Sequence, residues 1–330
     1  MKRALVSGAT GQDGSWLAEQ LVDKGYEVHG IIRRSSTINT ERLDHLYEDP
    51  ACAPDRRLVL HFGDMTDPLA LVDVLGKVQP DEVYHLAAQS HVRVSFDVPC
   101  YTADVDALGT LRLLEAVRLI CPRARVYVAG SSEMFGAAPP PQNERTPFDP
   151  QSPYAAAKVF SYHIARNYRR AHGLHVTCGI LMNHESERRG ETFVTRKVTR
   201  AVGRIRAGTQ AKLFLGNLDA RRDWGYAPDY TDAMFRMLQL DEPRDLVIGT
   251  GESHTVREWV EAAFAAADLD WHDYVEIHPR YLRPAEVDHL RADASEARRV
   301  LGWEPTVGFA DLVGRMVRHD VNLALTEKRC

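Results

Sequence analysis

Cysteine is scarce and unpatterned in this 330-residue chain: Cys52, Cys100, Cys121, Cys178 and Cys330 are odd in number, with no C-x-x-C pair. That excludes a disulfide-stapled scaffold and a thiolate metal cage, and points to reduced thiols in a cytoplasmic protein. The fourteen histidines show no ligand spacing, so no metal is expected. No apolar run approaches the roughly 18–20 residues of a spanning helix, and the chain enters a strand without a signal-peptide pattern. No membrane association is expected. An excess of one charge sign is also missing: the net charge of −5 gives no electrostatic case for nucleic acid or an anionic bilayer. Repeats and low-complexity tracts are absent apart from a proline-rich loop at 139–150. The length suffices for one large core or two modest ones.

What is present begins with a buried-strand pattern, Arg3-Ala4-Leu5-Val6-Ser7, followed by Gly8-Ala9-Thr10-Gly11-Gln12-Asp13-Gly14. A helix pattern follows, with Leu17, Ala18, Leu21 and Val22 on one face and Gly25 as its stop. Strand, glycine turn and helix form the context of a dinucleotide fingerprint, in the variant spacing G-x-x-G-x-x-G. Gly8, Thr10, Gly11, Gln12, Asp13 and Gly14 are therefore candidate cofactor contacts. A second strand, 27–32, ends in Arg33-Arg34-Ser35-Ser36, where a reader of a 2′-hydroxyl would carry an acidic residue. Two cations there suit a 2′-phosphate, which favours NADP over NAD. A third strand, 58–62, runs into Gly63-Asp64-Met65, which either grips an adenine or caps a loop. A fourth, 82–86, leads to Ala87-Ala88-Gln89-Ser90, whose small side chains let a cofactor pass close to the backbone. Leu86, Ala87, Ala88 and Ser90 complete that set. His85 reads as a packed, hydrogen-bonded histidine.

The stretch from Ala129 to Lys158 carries the candidate chemistry. A fifth strand, 126–129, gives way to Gly130-Ser131-Ser132-Glu133-Met134-Phe135-Gly136, and Ser152-Pro153 is a helix start. Tyr154 and Lys158 then stand at i and i+4 on one helix face. An ammonium beside a phenol is expected to lower its pKa from roughly 10 toward working pH, making Tyr154 a proton acceptor. Ser131 and Glu133 sit at a strand end, where side chains of open α/β sheets meet the ligand crevice. A hydroxyl, a carboxylate and an activated phenol are expected to converge.

Further on, a sixth strand (176–182) delivers Asn183 and His184, and the chain turns basic through Arg188, Arg189, Arg196, Lys197, Arg200, Arg204 and Arg206. These read either as a solvated helix face or as a diphosphate clamp, with Arg222 a further cation. A seventh strand, 245–248, returns to the nucleotide sheet before a capped helix start near Thr255. The expected organisation is a cofactor unit at 1–182 plus about 221–249, and a substrate unit at 183–220 and 250–330.

With these residues in hand, the chain resembles the extended short-chain dehydrogenase/reductase superfamily, and within it the GDP-mannose 4,6-dehydratases. The likeness rests on the glycine turn with Gln12-Asp13, Arg33-Arg34-Ser35-Ser36, Leu86-Ala87-Ala88-Gln89-Ser90-His91 and Asn183-His184-Glu185-Ser186. It continues in Arg188-Arg189-Gly190-Glu191-Thr192-Phe193, Arg222-Asp223-Trp224-Gly225 and Arg283-Pro284-Ala285-Glu286. The resemblance implies a seven-stranded doubly wound Rossmann sheet of the α/β class, a smaller C-terminal substrate domain and bound NADP. It implies catalysis by Ser131, Glu133, Tyr154 and Lys158, with the last two also on the cofactor. It further implies a GDP-sugar held by Ser90, Asn183, Lys197, Arg222, Arg283 and Glu286. Residues 34–42 resemble the family loop that reaches a neighbouring subunit's cofactor, implying a homodimer or homotetramer. Three departures stand out: Ser131 where threonine is usual, Arg93 where a small residue is usual, and Glu187 where proline is usual, the last two expected near the sugar. The rival readings are an NADP-dependent nucleotide-sugar reductase or epimerase, a dehydratase for a GDP-linked heptose, and a non-catalytic NADP sensor.

Overall fold

In the computed structural model the residues described are 1–36, 39–47, 57–282 and 285–328. Seven strands form one parallel sheet: β1 (Arg3–Ser7), β2 (Glu27–Ile32), β3 (Leu58–Phe62), β4 (Glu82–His85), β5 (Arg125–Ala129), β6 (Val176–Leu181) and β7 (Leu246–Ile248). Their spatial order is β7-β6-β5-β4-β1-β2-β3. The order reverses between β1 and β4, so the crevice of a doubly wound sheet opens above the carboxyl ends of those two strands. These runs are strands because they are short, apolar and covered on both faces; all six residues of β6 are buried. Strands expected to include Leu86 and Met182 stop one residue sooner, where the chain bends into the crevice.

Eight longer helices cover the sheet and build the remainder: α1 (Gln12–Asp23), α2 (Pro68–Val78), α3 (Gly109–Ile120), α4 (Pro153–His172), α5 (Val194–Arg206), α6 (Ala227–Gln239), α7 (Val256–Ala265) and α8 (Phe309–Glu327). Leu17, Leu21, Met234 and Met237 of α1 and α6 join one apolar cluster; Leu71, Leu75, Leu113, Val117 and Ala165 of α2, α3 and α4 join a second. A third cluster gathers Val198, Val202, Trp224, Trp259, Phe264, Leu312 and Met316 around α5, α7 and α8. Helix α4 begins as expected, with Ser152 Oγ accepting the Ala155 N–H at 3.1 Å. Thr255 and Glu258 form a reciprocal capping box on α7.

Short ladders outside the sheet carry the substrate-side residues. Asn183–Glu185 pairs in parallel with Trp224–Tyr226, and Arg221–Arg222 pairs antiparallel with His254–Thr255. Leu213–Leu215 pairs with Val275–Ile277. The basic run on α5 is mixed: Arg206 is exposed and Lys197 lines the cleft, while two of its arginines are buried in ion pairs. Arg196 and Arg200 are buried, Arg196 meeting Asp320 at 2.8 Å and Arg200 meeting Glu191 at 3.0 Å and Glu327 at 2.7 Å. Cys100, Cys121 and Cys178 are free thiols, while Cys52 and Cys330 lie outside the described residues.

Candidate active site

The glycine turn closes tightly because only hydrogen fits at two of its positions. Gly8 has φ +73°, and a Cβ there would lie 2.9 Å from the Ala87 backbone; at Gly14 it would lie 2.2 Å from Gly8 O. Helix α1 starts at Gly11 with no side-chain cap, so the positive end of its dipole is offered to the cleft. This cradle fits the pyrophosphate of a dinucleotide. The cleft above it measures about 1210 Å³, larger than the roughly 300–1,000 Å³ of ordinary small-molecule pockets, and so has room for two ligands end to end.

Gly8, Thr10, Gly11, Gln12, Asp13 and Gly14 line this cleft, as do Arg33, Asp64, Met65, Leu86, Ala87, Ala88 and Ser90. Arg33 donates to the Tyr101 hydroxyl at 2.8 Å. Arg34 does not line it: its guanidinium sits 5.4 Å from the centre of the Phe62 ring. Asp64 fits both of its readings, lining the cleft while accepting from the Thr66 N–H at 2.9 Å and the Thr66 hydroxyl at 2.8 Å. His85 is buried between Ser7 Oγ (2.9 Å) and Thr110 Oγ1 (3.0 Å), and burial lowers its pKa to about 3. It is a neutral structural histidine.

Ser131, Glu133, Tyr154 and Lys158 meet in the same cleft. Ser131 leaves β5 in extended conformation and caps the short turn Ser132–Met134, its Oγ accepting the Glu133 N–H at 3.3 Å. Glu133 is 6% exposed. Lys158 Nζ donates to Ala129 O at 3.0 Å and lies 5.9 Å from the Tyr154 ring centre. The expected drop in the tyrosine pKa is not what the structure gives. Burial drives the phenol above its ordinary range, with Asp106 and Glu133 adding to the rise, while a hydrogen bond from Ser131 and the charge of Arg189 oppose it. Lys158 is itself lowered by burial, against an upward pull from Asp106.

At the far end of the cleft, Asn183, Lys197, Arg222 and Glu286 come together. Lys197 Nζ stands 3.4 Å from the Tyr281 ring centre and donates to Phe214 O at 2.6 Å. Arg222 donates to Val287 O at 2.7 Å and to Glu286 Oε1 at 3.2 Å. Arg283 lies outside the described residues. Of the departures, Arg93 lines the cleft and pairs with Asp97 at 2.7 Å. Glu187 does not line it; its carbonyl accepts from Arg196 instead. Arg42 turns to its own chain, donating to Thr10 O at 3.1 Å and Arg188 O at 2.8 Å.

Arg189, one of the basic run read as a solvated face or a clamp, lines the cleft, stacks 3.8 Å from the Phe193 ring centre and pairs with Glu185 at 3.1 Å. Two features were not anticipated. Tyr281 forms a wall beside Lys197. Asp106, behind Lys158, is 1% exposed on a π-helical turn, Ala103–Leu108, of the kind that often marks functional sites. Asp104 and Asp106 ahead of a leucine-rich helix give no sequence signal for a π-wound turn.

A glycine-cradled dinucleotide cleft that ends in a buried tyrosine, lysine and carboxylate defines a nucleotide-sugar enzyme of the short-chain dehydrogenase/reductase type. Among solved structures, the dTDP-glucose 4,6-dehydratase DesIV of Streptomyces venezuelae, crystallised with NAD, superposes with a TM-score of 0.82 at 26% identity, covering 96% of both chains. The family model for GDP-mannose 4,6 dehydratase matches residues 5–316, and the chain belongs to that family. It is 58% identical to GDP-mannose 4,6 dehydratase 1 of Arabidopsis thaliana, over 99% of this chain and 92% of the relative. To the human GDP-mannose 4,6 dehydratase it is 49% identical, over 98% and 92%.

Proposed function

We propose that this chain converts GDP-mannose to GDP-4-keto-6-deoxy-mannose with a bound NADP. The observation that carries the reading is Glu133: a carboxylate 6% exposed, in one cleft with Ser131, Tyr154 and Lys158. A simple reductase or epimerase needs no acid there. Bound NADP supplies the hydride acceptor for C4 and the donor for C6, so no net reductant is consumed. Tyr154, acting as the phenolate, takes the C4 hydroxyl proton, and Ser131, hydrogen-bonded to the same oxygen, steadies the forming carbonyl. Ser131 and Arg189 draw the phenol back against burial, so groups facing the ring support its ionised form. The 4-keto group acidifies C5; Glu133 removes that proton and passes it to the leaving C6 hydroxyl, which departs as water, and the proton held by Tyr154 returns to C5 as C6 is reduced. Holding every reactant in one cleft removes the entropic cost of re-encounter.

Arg33 at the end of β2, beside Tyr101, supports NADP over NAD. Asn183, Lys197, Arg222, Arg283 and Glu286 are assigned to the GDP portion. Residues 1–182 with about 221–249 form the cofactor unit in this reading, and the remainder the substrate unit. Val98, Leu108 and Phe160 are exposed apolar side chains, which supports a homodimer or homotetramer. The free thiols support a cytoplasmic setting.

The deciding experiment is product analysis by mass spectrometry after incubation with GDP-mannose. Loss of one water is expected from the wild type. Glu133→Gln should retain NADP affinity yet lose turnover by about 10²–10⁴-fold; full activity in that variant refutes the role. Arg33→Ala should weaken NADP by about 10–100-fold and leave NAD unchanged. An equal loss for both cofactors refutes the 2′-phosphate assignment.

A further inference from the structure

The side chains of Gln12 and Asp13 are engaged in a way that cofactor binding does not explain. The Gln12 amide nitrogen donates to Asp13 Oδ1 at 3.0 Å and to His184 O at 3.1 Å, and its oxygen accepts the Ser186 hydroxyl at 2.9 Å. The second Asp13 oxygen meets His184 Nε2 at 2.8 Å. On the other side of that ring, Nδ1 meets Met182 O at 2.7 Å. A carbonyl and an ionised carboxylate can only accept, so the imidazole donates from both nitrogens and is an imidazolium. The ring also stacks on Tyr230, with centres 4.5 Å apart. The segment so held begins with Asn183 and continues to Glu185, which accepts the Thr195 hydroxyl at 2.6 Å and pairs with Arg189. All of these but Tyr230 and Ser186 line the cleft.

We infer that Gln12 and Asp13 are positioning residues: their side chains fasten the segment 183–186 to the first turn of α1 through a charged His184, and leave the cofactor to the backbone of the glycine turn. The inference rests on the dehydratase reading for the identity of the two ligands. Its physical basis is the complete satisfaction of the Gln12 amide and the pairing of Asp13 across the cleft. Burial opposes charge on both members, yet the pair overrides it, raising His184 and lowering Asp13. The titratable and charged groups that face the pair are Glu185 and Arg189 from the segment and Tyr230 from α6. Because Asn183 and Arg189 flank His184, loosening the pair displaces the sugar-nucleotide end of the cleft more than the pyrophosphate end.

Asp13→Asn removes the charge at nearly constant shape and distinguishes the two roles. NADP affinity, measured by calorimetry on the full chain, should stay within about threefold of wild type, while the KM for GDP-mannose rises by about 10–100-fold. With its counter-charge gone, burial should pull the His184 pKa down and leave the ring neutral at neutral pH, so the charge that fastens the segment is lost. Loss of NADP affinity with an unchanged KM overturns the inference, since Asp13 would then read the cofactor. Nitrogen-15 NMR of the wild-type histidines gives a second test that needs no variant: an imidazolium signature for His184 at pH 7.5 is expected, and a neutral ring overturns it. Wild-type protein that binds neither ligand would refute the dehydratase reading, while the NMR result would still judge the ion pair.

Discussion

Asp106 is a buried carboxylate whose burial has a measurable cost. It is 1% exposed; Oδ1 accepts the Gln89 N–H at 2.7 Å, and Oδ2 has no hydrogen-bond partner among the described residues. Burial raises its pKa from 3.8 to about 6, with the charge of Lys158 restraining the rise. Two pH units correspond to about 3 kcal/mol. The sign follows from proton counting. Between the unfolded and folded pKa values the native state holds the proton more tightly, so stability falls as pH climbs from about 4 to 6 and is level above that. Asp106→Asn cannot titrate. Relative to wild type, its stability should therefore gain about 3 kcal/mol between pH 4 and pH 7. Guanidinium unfolding of both proteins across that range reads the difference directly. A constant gap would show that Asp106 titrates normally and refute the reasoning. Activity should move the other way, because Lys158 loses the carboxylate that supports its charge. A variant both more stable and less active is the signature of an acid retained for chemistry.

Two further outcomes follow from packing. Gly14→Ala places a methyl 2.2 Å from Gly8 O, and relieving that overlap by about 1–3 kcal/mol of distortion should weaken NADP by about 10–100-fold in a fluorescence titration; a wild-type affinity would refute the cradle. Arg196→Met leaves Asp320, fully buried, without its counter-charge and should cost about 3–5 kcal/mol in chemical denaturation. Adding Asp320→Leu should restore most of that loss, and an unrestored double variant would show that the pair contributes more than it costs to bury.

Local pattern sufficed for much of this protein. Each strand of the sheet carries its own apolar run, Gly8 and Gly14 sit where a Cβ has no room, and Ser152-Pro153 starts α4. Tyr154 and Lys158 share a face because helical spacing requires it. Other features depend on neighbours distant in sequence. Whether Arg33 or Arg34 enters the cleft turns on a single strand-end orientation. Arg196 and Arg200 of α5 found acidic partners on α8, more than a hundred residues away, so part of a run that reads as a solvated face or a clamp is buried. Asp106 escapes a 3.6-residue pattern because the backbone there is π-wound. The tyrosine pKa went the other way because spacing reports the lysine's proximity but not the desolvation of both groups. Gln12 and Asp13, adjacent to the cofactor's glycines, are occupied by His184 and Ser186, a contact that no local pattern announces.

The last strand of the sheet has a consequence for how the protein is made. β7 pairs with β6 in register from Leu246 opposite Gly179 to Ile248 opposite Leu181, after the chain has travelled through residues 182–245. A nascent chain emerging from the ribosome therefore displays the bare flank of β6 until Ile248 is synthesised and free of the exit tunnel. That flank is apolar and unpaired, a template for adhesion to another unfinished copy. A fragment ending near residue 182 inherits the same sticky edge permanently, so splitting the gene there should yield inclusion bodies.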